Sequence, residues 1–218
     1  MVSNSISRRV AAILPQMRPA LALLLAAAPA IAAVPEKGEG TIAVLPGVRA
    51  VYGNGGYLDE QGASHQLLQP GGIASFGYQF DDELHFKIEI GYQLDRYRMP
   101  GGDLTVKTIP ITIGLDTTLW KGSWFTLYGG GGIGYSLNTG TREGVNNEAN
   151  STAGFVGLGL RLRLAEKLAL VFEDRVTLAS AQVDPVSTRQ LNTGGNFFSV
   201  GLMFHFLQPE DKGKPQAP

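Results

Sequence analysis

Several charged side chains recur two residues apart inside apolar stretches: Lys87 with Glu89, Arg161 with Arg163, and Glu173 with Arg175, while Arg49 and Asp95 stand singly in similar settings. A spacing of two places both members of a pair on one face of a β-strand. Charges of both signs gathered on such a face can neutralise one another as a structural network, or they can line a path for ions or protons. Buried charges must be paired, so a network is the simpler expectation and a small gated pore the alternative.

Other candidates for chemistry are fewer. His85 and His205 fall on the polar face near the same end of their stretches. Two imidazoles without a third ligand are weak grounds for a metal site, and no metal is expected. Ser64-His65 sets a nucleophile beside a base, but nucleophilic catalysis needs the base oriented by a third group, and the pair lies in a connecting segment with no acid partner in view. No catalytic residue is assigned. Gly129 to Gly134 contains G-x-G-x-x-G, yet the dinucleotide fingerprint opens a helix inside a βαβ unit, whereas here an alternating strand continues. Room for bulky neighbours is the better account of those glycines. The absence of cysteine removes disulfides, thiolate metal sites and cysteine nucleophiles. No cofactor is expected.

The elements that must hold these residues follow from hydrophobic patterning. With 218 residues, 44 % of them hydrophobic and 17 % charged, the chain has the size and apolar content of one domain. A net charge of −1 carries no nucleic-acid footprint. Apolar residues alternate with polar or small ones over about eight stretches: 41–53, 71–80, 83–96, 103–116, 123–137, 151–164, 167–179 and 196–206. Segments rich in Gly, Asn, Asp, Ser and Pro follow the first, third, fifth and seventh (54–70, 97–102, 138–150, 180–195), whereas Asp81-Asp82, Asp116 to Gly122 and Ala165-Glu166 form tighter joins. The pattern predicts an all-β fold: an eight-stranded antiparallel up-and-down barrel with long loops at one end and short turns at the other.

Which face points inward decides the class of protein. Arg49, Lys87, Glu89, Asp95, Arg161, Arg163, Glu173 and Arg175 occupy the polar face, and the other face is almost wholly Leu, Ile, Val, Phe and Tyr. Apolar patches of that extent are rare on soluble monomers, whereas a transmembrane barrel shows its apolar face to lipid. Aromatic residues fall at both ends of that face, with Phe80, Trp120, Phe125 and Phe206 near the short turns and Tyr52, Tyr92 and Tyr135 near the long loops. Two interfacial girdles are therefore expected. Parity alone leaves open a soluble, lipocalin-like barrel with the faces exchanged.

The chain ends differ from the middle. Residues 1–32 carry Arg8, Arg9 and Arg18 with no acidic residue, then an apolar run and Ala30-Ile31-Ala32, the pattern of a cleaved signal peptide. The barrel is assigned to 33–206. Leu207 to Pro218 is polar and Pro-rich, as in a disordered extension. Two features sit awkwardly with strict alternation. Asp174 falls on the lipid face unless a bulge shifts the parity after Glu173, and Pro46 and Pro110 lie within strands of a barrel without a free edge, where a bulge or a water must absorb the missing N–H.

Ser199-Val200-Gly201-Leu202-Met203-Phe204-His205-Phe206 resembles the C-terminal assembly signal of bacterial outer-membrane barrels. Ile109 to Leu115 and Leu127 to Tyr135 look like the fourth and fifth strands of small barrels of the OmpA transmembrane-domain and OmpX type. The resemblance spans roughly residues 40 to 206. It implies location in the bacterial outer membrane, amid its lipid and lipopolysaccharide. It also implies delivery by periplasmic chaperones and insertion by the barrel assembly machinery, with Ser199, Gly201, Phe204 and Phe206 as recognition positions. The chain departs from the pattern by continuing past Phe206. The resemblance leaves two classes of activity to weigh: a structural or surface-interaction role without catalysis, and lipid A modification, which some eight-stranded barrels perform.

Overall fold

The computed structural model describes residues 37–65 and 68–206. The expected signal peptide at 1–32, the first residues of the barrel assignment and the 207–218 extension lie outside the described residues.

Eight long strands form the wall: β1 (Gly40–Ala50), β3 (Leu68–Gln79), β4 (Leu84–Arg98), β5 (Leu104–Lys121), β6 (Phe125–Arg142), β7 (Val145–Ala165), β8 (Leu168–Ala181) and β10 (Gly195–His205). A short helix α1 (Gly55–Glu60) and the two-residue strands β2 (Ser64–His65) and β9 (Leu191–Asn192) belong to the long loops. Each wall strand pairs antiparallel with the next, and β10 returns to β1 in a ladder from Thr41↔His205 to Ala50↔Asn196. The sheet is closed, so no wall strand is an edge.

Period-two patterning sets the wall's two surfaces. Along β4, His85, Lys87, Glu89, Gln93 and Asp95 are buried, while Ile88, Ile90 and Tyr92 are exposed. The same inversion runs round the barrel: Ile133 and Leu178 are each 70 % exposed and Arg49 is 0 % exposed. In water this arrangement would reverse the hydrophobic driving force; in lipid it satisfies it. The alternative with an apolar interior and a charged exterior does not describe this fold.

Several connections differ from expectation. Residues 138–150, read as a loop, continue β6 and β7 as a paired ribbon from Asn138↔Ala149 to Arg142↔Val145. Its turn is Glu143-Gly144, both at positive φ (51° and 80°), the two-residue geometry matching strand twist. The ribbon carries no apolar alternation in its sequence, as suits strands that extend beyond the lipid-facing wall. Likewise Asp116 to Gly122 is not a turn, since β5 runs to Lys121 and Asp116 points inward. Register shifts occur at Thr118/Trp120 and Arg163/Ala165, both near the short-turn end. None occurs at Asp174, which pairs with Leu158 and Phe198 in unbroken register and is exposed on the outer face. Nor do the prolines produce bulges. The β1–β10 ladder skips from Val44↔Leu202 to Gly47↔Ser199 around Pro46, and the β4–β5 ladder from Ile90↔Ile111 to Gln93↔Thr108 around Pro110. Each ladder resumes in the same register.

Candidate functional site

The lumen is filled in layers. Toward the short turns, Glu39 meets His205 (3.1 Å), and His85 lies 2.9 Å from Thr41 Oγ1 and 3.5 Å from Asp116. Arg161 donates to Asp116 at 2.8 Å with its guanidinium 4.0 Å from the centre of the Tyr128 ring. Lys87 stands among three carboxylates, Asp116 at 3.0 Å, Glu89 at 3.3 Å and Glu173 at 3.5 Å. Arg175 forms a two-pronged bond to Glu89, 2.8 Å on each prong, and a further bond to Glu173. Glu173 also accepts from the Tyr128 hydroxyl at 2.9 Å and Glu89 from Thr112 at 3.2 Å. Phe155 stacks beneath both Arg175 (4.4 Å) and Lys87 (5.1 Å).

This density needs room on the facing wall, which β6 provides. A Cβ on Gly130 would collide with Asp116, and one on Gly132 would come 2.5 Å from the Phe155 ring. Gly130 and Gly132 therefore make room for interior side chains, and the run lies within strand β6 rather than at the start of a helix. An apolar layer including Ala43, Leu45, Val171, Phe197 and Met203 packs beside the charges. Toward the long loops, Arg49 bonds Asp95 and donates to the carbonyls of Thr193 and Gly194, the latter at 2.8 Å.

Of the eight charges read from the sequence, seven are buried. Arg163 is instead half-exposed at the short-turn mouth, where Nε donates to the Ala165 carbonyl at 3.3 Å. Asp116 takes the place that sequence reasoning left empty. Between the two mouths, the described residues then hold Arg49, Lys87, Arg161 and Arg175 against Glu89, Asp95, Asp116 and Glu173. The signs balance, as burial in a medium of low dielectric requires. Among the described residues no cluster of three or more His, Asp or Glu side chains has the makings of a metal site.

The long-loop mouth carries a plug that periodicity did not reveal. Tyr57 and Leu58 of α1 pack with Tyr97, Met99, Leu104, Val106, Ala181, Val183 and Leu191. The Tyr57 hydroxyl donates to Asp184, whose carboxylate also accepts from Arg142 at 3.1 Å. Asn54 pins the same loop by accepting from the Asn192 amide at 2.8 Å. Burial first, then the Asp184 hydrogen bond, push the Tyr57 phenol well above its ordinary value. Ser64, in β2, pairs with Arg98 of β4.

The outer face carries the aromatic residues at both ends. Tyr52, Tyr92 and Tyr135 are exposed toward the long loops; Phe80, Trp120 and Phe206 are exposed toward the short turns, with Phe125 half-buried against Trp124, ring centres 5.0 Å apart. In β10, Ser199 is buried and donates to the Glu173 carbonyl at 3.4 Å. Gly201 allows β1 to pass close by, since a Cβ there would press on Leu45 Cα at 2.8 Å. Phe204 faces outward, and the Phe206 ring lies 5.8 Å from that of Phe76.

A closed barrel with an apolar exterior and a charge-filled interior has counterparts. The sequence profile of the outer membrane protein beta-barrel domain matches residues 19–206. The chain belongs to that family. Among solved structures, Neisserial surface protein A shares the fold at a TM-score of 0.55 and 17 % identity, over 78 % of this chain and 98 % of that one. The attachment invasion locus protein Ail of Yersinia pestis aligns at 0.49 and 16 % over 78 % and 99 %. The outer membrane protein OprG of Pseudomonas aeruginosa aligns at 0.49 and 16 % over 78 % and 97 %. A comparison with curated protein sequences finds no match. The protein is thus a bacterial outer-membrane β-barrel of the small, eight-stranded type.

Proposed function

We propose that this outer-membrane barrel serves the cell envelope as a non-enzymatic scaffold that presents its long loops for interaction, and that its lumen does not conduct. One observation carries the reading: interlocked ion pairs occupy the lumen, and the α1 plug closes the long-loop mouth above them. Eight strands leave an interior only wide enough for side chains or one small ligand, and here side chains take it. Binding residues belong on loops held by a rigid scaffold. The long-loop end is taken as the cell exterior, since such barrels keep short turns on the periplasmic side. Ser199, Gly201, Phe204 and Phe206 are proposed as positions read by the barrel assembly machinery after delivery by periplasmic chaperones, and lipid and lipopolysaccharide as the surroundings of the apolar belt.

Two measurements test this. Protease added to intact cells should cut within 51–67 or 182–194, and complete shielding of both would count against surface display. Purified protein in planar bilayers should stay silent; discrete conductance steps would replace this reading with a gated pore. The lipid A-modifying alternative predicts an altered lipid mass spectrum on expression, abolished by Ser64→Ala, and the proposal expects no such alteration.

A further inference from the structure

The lipid-facing surface is not uniformly bulky. Along the outer side of β3 the row Leu68, Pro70, Gly72, Ala74, Phe76, Tyr78 has only small or ring-locked residues in its middle. Register sets Gly72 between Pro46 of β1 and Tyr92 of β4, and Ala74 between Val44 and Ile90. Missing side-chain volume, beside the two ladder interruptions caused by proline, opens an apolar furrow of about 640 Å³. That falls within the ~300–1,000 Å³ of ordinary ligand sites.

Cations crown the furrow. Leu94 pairs with Lys107 and Arg96 with Thr105, so Arg96 and Lys107 are diagonal neighbours on the outer face, with Arg98 two residues beyond. Such diagonals lie about 7–8 Å apart at Cα. All three are exposed, and Lys107 Nζ sits 5.6 Å from the centre of the Tyr92 ring, which forms one wall of the furrow. Among the described residues, none of the three enters a salt bridge with a carboxylate, Asp103 at the same rim included. Arg189, by contrast, meets Glu60 at 2.9 Å.

We propose that this face binds a phosphorylated, acylated glycolipid of the lipid A class, its phosphates on Arg96, Arg98 and Lys107 and one acyl chain laid in the furrow between Pro46 and Tyr92. The inference rests on the proposed orientation, which puts these cations in the outer leaflet. Guanidinium forks match phosphate oxygens two at a time, and a lysine at an aromatic girdle extends its charge into the headgroup layer. A free phosphate would use the cations and gain nothing from the furrow below them. The furrow therefore favours a lipid.

The test uses the full chain refolded in zwitterionic micelles and titrated separately with diphosphoryl lipid A, phosphatidylglycerol and inorganic pyrophosphate, with bound species counted by native mass spectrometry. Lipid A should bind one to one. The double variant Arg96→Gln, Lys107→Gln should weaken it on the order of tenfold or more, as expected for losing charge-assisted contacts. Gly72→Leu, which fills the furrow, should weaken lipid A and leave pyrophosphate unaffected, and Arg189→Gln should change nothing. None of these positions is buried, and a heat-dependent gel shift without lipid verifies that each variant is folded. Equal lipid A binding by the wild type and the double variant would overturn the inference, as would pyrophosphate or phosphatidylglycerol binding as tightly as lipid A. A wild-type chain lacking the gel shift would overturn the barrel reading as well, which separates the two failures.

Discussion

Arg175 on β8 reaches Glu89 on β4, four strands away in either direction around the ring of eight, through two parallel bonds of 2.8 Å. The two residues stand on opposite walls, so their bond is a strut across the lumen. Arg175→Met would leave Glu89 and Glu173 to share Lys87, which Asp116 also holds. Stranding a buried charge typically costs about 3–5 kcal/mol, and urea unfolding in micelles should show a loss of that size. A loss below about 1 kcal/mol would mean that the strut is not under load.

Arg49 has a second duty besides Asp95. Its donations to the carbonyls of Thr193 and Gly194 hold the start of β10 against the mouth. Arg49→Met should therefore quicken proteolysis between 182 and 194 in folded protein more than anywhere else. Uniform sensitivity along the chain would instead indicate global destabilisation.

Tyr57 makes the plug sensitive to alkali. Its phenol is raised above the ordinary 10.0, so just above that value the folded form keeps a proton that the unfolded form has lost. Stability from this group is complete below the ordinary value and declines as pH climbs beyond it. Hydrogen exchange at α1, normalised for the intrinsic rate, should stay level up to about pH 10 and rise above it. Tyr57→Phe should flatten that rise, and an unchanged profile in the variant would remove Tyr57 as the cause.

Asp174 is out of place in the outer row Leu168, Leu170, Phe172, Asp174, Val176, Leu178. Charge on the lipid face near the bilayer centre destabilises barrels, acids less than the ~2–4 kcal/mol of basic residues. Asp174→Leu should raise unfolding stability by about 1–2 kcal/mol in lipid vesicles. A decrease would show that the carboxylate has a partner in the membrane.

Much of the wall was readable from the sequence because period two and a lipid exterior act on every residue of a strand. Lys87 and Glu89, or Glu173 and Arg175, announce their shared face by spacing alone. Asp116 did not, since an acidic residue at the end of an apolar run looks like the beginning of a turn. Arg163 obeyed the parity but lies where the β7–β8 register shifts, and register depends on both strands. The plug was hidden for another reason: α1 has only six residues, too few for a helical period, and its partners Met99, Val183 and Leu191 are scattered through separate segments. Which inward charge meets which is a property of strand number and stagger, and no single stretch of sequence contains it.

The ladder between Thr41 and His205 joins almost the first described residues to almost the last, so it imposes a timetable. Half a wall would expose two raw edges and an interior of unpaired charge, so the eight strands gain their stability together. β10 is the last wall strand among the described residues and closes the seam. Until that strand pairs, β1 and β8 each keep an open edge, and closure of the barrel is one event that involves the first and the last of its strands at once.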